Sequence, residues 1–507
     1  MTDAPPKHEL TSLRTKIFYG LGSVAFGVKD NGFQTILLLF YNQVIHLPGQ
    51  LVGLAIAIAF AFDALIDPIV GQFSDNLRTR WGRRHPLMYA AALPVAVSYL
   101  LLWNPPHWSQ GALFIYLLVV AIIVRTFISF YEIPSSALVP EFTDDYDNRT
   151  SFMSFRVFFA WYGGMTMFAL AFTVFLVPDA AHKIGQLNEA GYGRYGLTAA
   201  IVMFAAILIS AAGTHRFIPH FRKPPVRRLS LSQYVREIMS TLSNRAFLIL
   251  MCAAIFSNLA TGLVFALDIY LKTYFWELSN LQIFVLALST FLSVALAFAI
   301  ALPISRRFGK RNGAILFFTI GLTILAIPIV SRLIGLFPPN GAVSLMPLLF
   351  GFSIIAGALT IGASVLVISM IADVVEDSEL KTGRRSEGLF FAGSSLIQKA
   401  VTGLGLLASG FVLWLAHFPS NAVPGHVDPQ IIRNFALIYL PSVVILYLIS
   451  LAIISRFPIT RERHKENVRR LAEETALAGL QPLGADSSAA RLMAETEILP
   501  ASETAPA

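Results

Sequence analysis

Two carboxylates four positions apart stand inside an otherwise apolar stretch: Asp63 and Asp67, in AFDALIDPIVGQFSDNLRTRWGRRHP (61–86). On a helix that spacing puts both on one face, one turn apart. A charged side chain near the middle of a bilayer costs about 2.5–3.5 kcal/mol on insertion scales. Two on one face therefore call for a wet cavity, a basic partner or a bound cation. Hard cations take several oxygens, and the hydroxyl of Ser129, in a later apolar stretch, is a candidate third ligand. Adjacent carboxylates also repel, so one can carry a proton instead. These residue types leave Na+ and H+ both open as the bound cation, and no other cofactor is implied.

A second constellation is Asp30, Glu132 and Arg156, with Lys29 beside Asp30. Carboxylates accept hydrogen bonds from the hydroxyls of a polyol, and a guanidinium donates in a fixed fork. Glu132 lies just before Ile133-Pro134, where proline frees a backbone carbonyl of its helix. The competing reading is a buried charge network that only fixes helix packing. Lys399, in a late apolar stretch, has no carboxylate one turn away. Its expected role is to reach across to Asp63 or Asp67 when the cation is absent. Arg125 reads as structural, and Asp268 with Lys272 (i, i+4) as a solvated pair near a helix end.

The elements that must position these groups are membrane spans. The 507 residues are 55% hydrophobic and 13% charged, about half the charge of a soluble domain. Twelve segments are long enough to span: near 17–45, 51–76, 86–104, 110–137, 151–177, 193–215, 246–273, 280–304, 313–334, 342–373, 387–416 and 431–456. Cys252 is the sole cysteine, which excludes an intramolecular disulfide. The net charge of +8 is explained by basic loops facing anionic lipid rather than by a nucleic-acid partner.

Those loops alternate. Arg78, Arg80, Arg83 and Arg84 follow the second segment, Arg306, Arg307, Lys310 and Arg311 the eighth, and Lys381, Arg384 and Arg385 the tenth. The connections after the first and third carry no Lys or Arg. Positive loops mark the cytoplasmic side, so both termini are expected there, in a multi-pass protein of the inner (plasma) membrane. RWGRRHP (80–86) recurs as RFGKRNG (307–313), and DDYDNRTSF (144–152) has a counterpart in SELKTGRRSEG (378–388). The near-equal offsets predict an all-α membrane protein of two six-helix halves. The expected organisation is a first half over 1–216, a basic connector over 217–245, a second half over 246–457 and a largely disordered tail over 458–507. Asp75, Gly82, Arg83 and Arg84 are expected to clasp Glu141 and Asp144 at the inner mouth, with Arg385 at the matching loop of the second half.

At this point the residues point to a family. YGLGSVAFGVKD (19–30), DALIDPIVGQFSDNLRTRWGRRHP (63–86), YEIPSSALVPEFT (131–143) and ADVVEDSELKTGRRSEG (372–388) resemble the melibiose-carrier family. These are the glycoside–pentoside–hexuronide:cation symporters of the major facilitator superfamily, and the likeness covers about residues 17–457. The resemblance implies cation-coupled symport of a sugar, glycoside or uronide by alternating access. It implies that Asp30, Glu132 and Arg156 bind sugar, that Asp63, Asp67 and Ser129 bind the cation, and that Lys399 couples the two. Ser136 and Ser364 stand near positions where sugar carriers of the family have Trp, and Ile66 where some have an amide. Lysophospholipid symporters resemble the chain in the paired aspartates but lack the Lys29-Asp30 pair. That makes a lysophospholipid-like or other organic solute the alternative cargo. An intramembrane prenyltransferase is the enzyme alternative, through Asp63/Asp67 and Asp373/Asp377. The duplicated twelve-span organisation argues against it. The implied protein is a monomer in lipid, with a small sugar-like solute.

Overall fold

A computed structural model describes residues 7–143, 145–178, 184–221, 244–382 and 387–459, with 462–463, 466–467 and 469–470. Most of the expected connector, the tail beyond 470, Asp144 and Arg385 lie outside the described residues.

Eleven helices among the described residues are long and apolar enough to cross a membrane. They are α2 Gly49–Asn76, α3 His85–Leu102, α4 Gln110–Ser136, α5 Tyr146–Leu170, α6 Glu189–His215, α7 Arg245–Tyr270, α8 Asn280–Phe308, α9 Lys310–Leu333, α10 Leu345–Thr382, α11 Glu387–Leu415 and α12 Pro429–Ile454. The twelfth crossing, α1, is pieced together. It runs through Leu13–Leu21 and Ser23–Asn31, loosens into a π turn at Gly32–Ile36, and after Leu37–Leu39 loosens again at Phe40–Val44. π turns also end α5 (Ala171–Phe175) and α7 (Leu271–Phe275). Such widened turns redirect side chains and are common at functional sites.

Local sequence explains the helix ends. Asp145 caps α5 by accepting from Asn148 N, and Ser279 with Gln282 forms a capping box at α8. The two repeated basic turns share their backbone: Gly82 and Gly309 both sit at positive φ, +75° and +78°, a conformation glycine adopts without strain. Each turn is held by an acid of its own half. Arg83 lies 2.6 Å from Glu141 and Arg84 2.6 Å from Asp75, while Lys310 pairs with Asp373 on α10.

Within the first half α1 packs on α5 so closely that a Cβ on Gly27 would fall 1.9 Å from the Ala160 carbonyl oxygen. That contact fixes the helix carrying Asp30 against the helix carrying Arg156. Between the halves α2 lies along α11, and α1 meets α7. The largest buried cluster runs through both halves, from Tyr19 to Tyr447.

At the end opposite the basic turns the halves are tied by amides. Gln43 Nε2 donates to the Pro419 carbonyl (3.0 Å), and its Oε1 accepts from Ala422 N (3.0 Å) and Tyr274 OH (3.2 Å). Asn42 Oδ1 accepts from Tyr270 OH (2.8 Å). Both amides are buried; within the first half Asn42 Nδ2 also donates to the Leu47 carbonyl and Gln43 Nε2 to Asn42 Oδ1.

Candidate functional site

The paired carboxylates meet at the seam of the two halves. Asp63 is 1% exposed in the middle of α2, and Asp67 follows one turn on. Pro68, directly after Asp67, removes a helical N–H at this level. Ser129 on α4 approaches both: its Oγ lies 2.9 Å from Asp63 Oδ1 and 2.7 Å from Asp67 Oδ1. One hydroxyl carries one proton, so Ser129 donates to one carboxylate at a time. Lys399 comes across from α11, its Nζ 2.5 Å from Asp67 and 3.6 Å from Asp63.

Arg125, read from the sequence as structural, completes this cluster as a buried partner of Asp63. Its Nη2 donates to Asp63 Oδ2 at 2.6 Å, and its guanidinium carbon stands 3.5 Å from the centroid of the Phe60 ring. Arg125 lies one turn before Ser129, so the two reach α2 from the same face of α4. Lys399 was the base expected to reach Asp63 or Asp67; the shortest ion pair of Asp63 is to Arg125.

The second constellation assembles in part. Arg156 Nη2 lies 3.6 Å from Glu132 Oε1 and is held over the Phe26 ring. Asp30 is engaged instead by its neighbour Lys29, at 2.6 Å. Lys29 is buried while Asp30 is 42% exposed, so the aspartate is the member of that pair open to a ligand. Glu132 stands three residues beyond Ser129 on α4, about 4.5 Å along the axis at 1.5 Å per residue. One helix thus carries a member of each constellation.

Asp268 and Lys272 pair at 2.6 Å near the end of α7, as the i, i+4 spacing leads one to expect, with Asp268 40% exposed; they line an open cavity of about 450 Å3 between the halves. The expected inner clasp does come together: Arg84 Nε reaches Glu141 at 3.3 Å, Arg84 Nη1 donates to Ser74 Oγ, and Arg83 Nη1 lies 3.8 Å from Asp75. Ser136 turns its hydroxyl back onto the Ile133 carbonyl, and Ser364 onto that of Thr360. Asp373 pairs with Lys310 in the second half, and Asp377 with Arg463 beyond it. They are held by different partners from those of Asp63 and Asp67.

A duplicated bundle of membrane helices with charged clusters at the seam defines a membrane transporter. The family described as MFS/sugar transport protein matches residues 18–461, and the chain belongs to it. The chain is 26% identical to the isoprimeverose transporter of Lactiplantibacillus pentosus, over 78% of its own length and 80% of the relative's. It is likewise 26% identical to the inner membrane symporter YicJ of Escherichia coli, over 92% and 96%. Among solved structures, the xylose transporter XylE of E. coli in its inward open conformation has the same fold. The TM-score is 0.57 at 16% identity, covering 90% of this chain and 98% of that one. The protein is accordingly a multi-pass membrane transporter and not an enzyme.

Proposed function

We propose that the protein is a cation-coupled symporter of a sugar, glycoside or uronide. Its cation site is Asp63, Asp67 and Ser129, and its solute site Asp30, Glu132 and Arg156 with Lys29. The observation that carries this reading is Lys399 reaching across the seam to both carboxylates. Lys399 and Arg125 together balance Asp63 and Asp67, just as Lys29 balances Asp30 and Arg156 balances Glu132. Four acids and four bases leave the interior neutral. An entering Na+ or H+ takes Asp67 from Lys399 and adds one positive charge. A solute that accepts hydrogen bonds, or is itself anionic, offsets that charge, so each ligand favours the other.

In this reading the Gln43 seal closes the outer side, and the clasp of Asp75, Gly82, Arg83, Arg84 and Glu141 shapes the inner mouth. The basic turns face the cytoplasm, with both termini inside, and the protein works as a monomer in the inner membrane. The sugar and symporter relatives support this assignment, as does the polarity of the second constellation. The test is uptake into proteoliposomes of a panel of labelled monosaccharides, disaccharides and uronides, with a Na+ gradient, a proton gradient or neither. Accumulation above equilibrium under one gradient supports symport. Equal uptake under all three conditions removes the coupling.

A further inference from the structure

The four oxygens of Asp63 and Asp67 divide into two kinds. Each Oδ2 is held by a base: that of Asp63 by Arg125 Nη2 at 2.6 Å, that of Asp67 by Lys399 Nζ at 2.5 Å. Each Oδ1 approaches Ser129 Oγ, at 2.9 Å from Asp63 and 2.7 Å from Asp67. Ala64, Leu65 and Ile66, between the two carboxylates, bring no side-chain oxygen.

The two bases are not equivalent. Lys399 reaches in from the second half on a flexible stem, and its side chain is 23% exposed. The Arg125 side chain is 2% exposed. Its guanidinium carbon lies 3.5 Å from the centroid of the Phe60 ring and 5.6 Å from that of Phe33. A guanidinium keeps its charge in proteins, and one held between aromatic rings and a buried carboxylate has no wet surface to retreat to. An entering cation can displace Lys399, but Arg125 stays.

A metal ion is poorly served by what remains. Hard cations take several oxygens, and the side chains leave it two Oδ1 atoms and one hydroxyl. The ion would also enter beside the fixed charge of Arg125, with Lys29 a further base facing Asp63. A proton needs less: one oxygen to sit on and one to donate to. Ser129 supplies the second. Its hydroxyl has a single proton, yet its oxygen lies within hydrogen-bond distance of two carboxylate oxygens. Two hydrogen bonds at one hydroxyl oxygen need two protons. Ser129 donates one, and a carboxyl group donating to Ser129 Oγ supplies the other.

We propose that Arg125 is the ion-selecting residue of the seam: it fills the place on Asp63 that a metal ion would take, which closes the site to Na+ and makes H+ the coupling ion. This rests on the reading of the protein as a cation-coupled symporter, and chooses between the two ions which that reading leaves open.

The first arm of the experiment uses the purified full chain in proteoliposomes, with labelled xylose, glucose, lactose and glucuronate as probes. An inward proton gradient without Na+ should raise accumulation of at least one probe tenfold over the gradient-free level, about 1.4 kcal/mol. An inward Na+ gradient at equal pH on both sides should leave every probe at that level. The second arm is thermal unfolding in detergent without solute, in Na+ against K+ at equal ionic strength. The wild type should unfold at the same temperature in both salts. Arg125→Met frees Asp63 Oδ2 and removes the fixed charge, so Na+ should raise its unfolding temperature above that in K+. Arg125→Lys keeps a positive charge and should show no such difference. Accumulation driven by Na+ at equal pH, or a Na+-specific shift in the wild type, would overturn the proposal and spare symport. A proton-driven wild type whose Arg125→Met variant shows no Na+ shift would overturn the role of Arg125. The wild-type measurements decide the ion even where the variant does not survive purification. Accumulation under neither gradient would overturn the symport reading itself, and the proposal with it.

Discussion

The Nζ of Lys399 lies 2.5 Å from Asp67, on the opposite side of the seam between the two halves. This contact joins α2 to α11 through a pair of charges, and in the proposed cycle the coupling cation competes with Lys399 for the carboxylate. Arg125 does not share that mobility: it is fully buried, stacked on Phe60 and bonded to Asp63 at 2.6 Å. The two bases therefore differ in kind, one fixed within the first half and one reaching from the second.

Asp67→Asn should abolish uphill accumulation while leaving solute exchange across vesicle membranes measurable, since the amide keeps the shape but carries neither the negative charge that offsets a bound cation nor a titrating proton. Counterflow and gradient-driven uptake in the same vesicle preparation check this. Retention of full gradient-driven accumulation would remove Asp67 from the cation site.

Arg125→Met should behave differently, as a stability variant first. It leaves buried Asp63 with Ser129 and the more distant Lys399 alone, and breaking one partner of a buried pair typically costs about 3–5 kcal/mol. The double variant Arg125→Met/Asp63→Leu should recover much of the loss without restoring coupling. Thermal unfolding in detergent, read beside uptake, separates the two effects; a single variant as stable as the wild type would contradict the buried pairing.

The charged residues themselves were legible in the sequence because they interrupt apolar runs, and the repeated basic turns disclosed the two halves. What joins to what was less legible. The link from Arg125 to Asp63 spans 62 positions, and no local spacing announces it. Asp268 and Lys272 carry their i, i+4 signature at any helix end, so only the packing of α7 shows that this end borders a cavity between the halves. The seal at Asn42 and Gln43 escaped for another reason. Uncharged amides give no hydropathy signal at a helix end, and the π turn that aims them is invisible to a 3.6-residue period.

Gln43→Ala should loosen the outer seal. It removes three hydrogen bonds to the second half, from Tyr274 and Ala422 N and to Pro419 O. The expected result is faster labelling of a cysteine placed at Thr35 by a membrane-impermeant reagent from the outer face, by about tenfold, in a Cys252→Ala background. Labelling unchanged from the seal-intact control would mean that the amide does not hold the halves together.

At the inner end, Arg84→Glu should open the clasp by turning contacts to Asp75 and Glu141 at 2.6 Å and 3.3 Å into repulsions. Solute affinity should stay within about twofold, because the solute groups lie deeper in the bundle. Transport rate is the quantity expected to fall, and a rescue by Glu141→Arg would show that the charge pair, not the backbone of the turn, sets the rate.

Arg156→Lys is the sharpest probe of the solute site. The lysine keeps the charge that balances Glu132, 3.6 Å away, but loses the planar fork that grips two oxygens at once. If the bundle only needs the charge, folding and binding should both survive. If the fork holds a sugar, binding of the transported solute should weaken at least tenfold, about 1.4 kcal/mol, while thermal unfolding without ligand moves little. Asp30→Asn supplies the companion measurement. It retains an acceptor oxygen but releases Lys29 from its 2.6 Å partner, and it should weaken binding without altering the Arg156 contact. Wild-type affinity in both variants would make the polar constellation a packing device, and would direct the search for the solute site to the cavity beneath the seal.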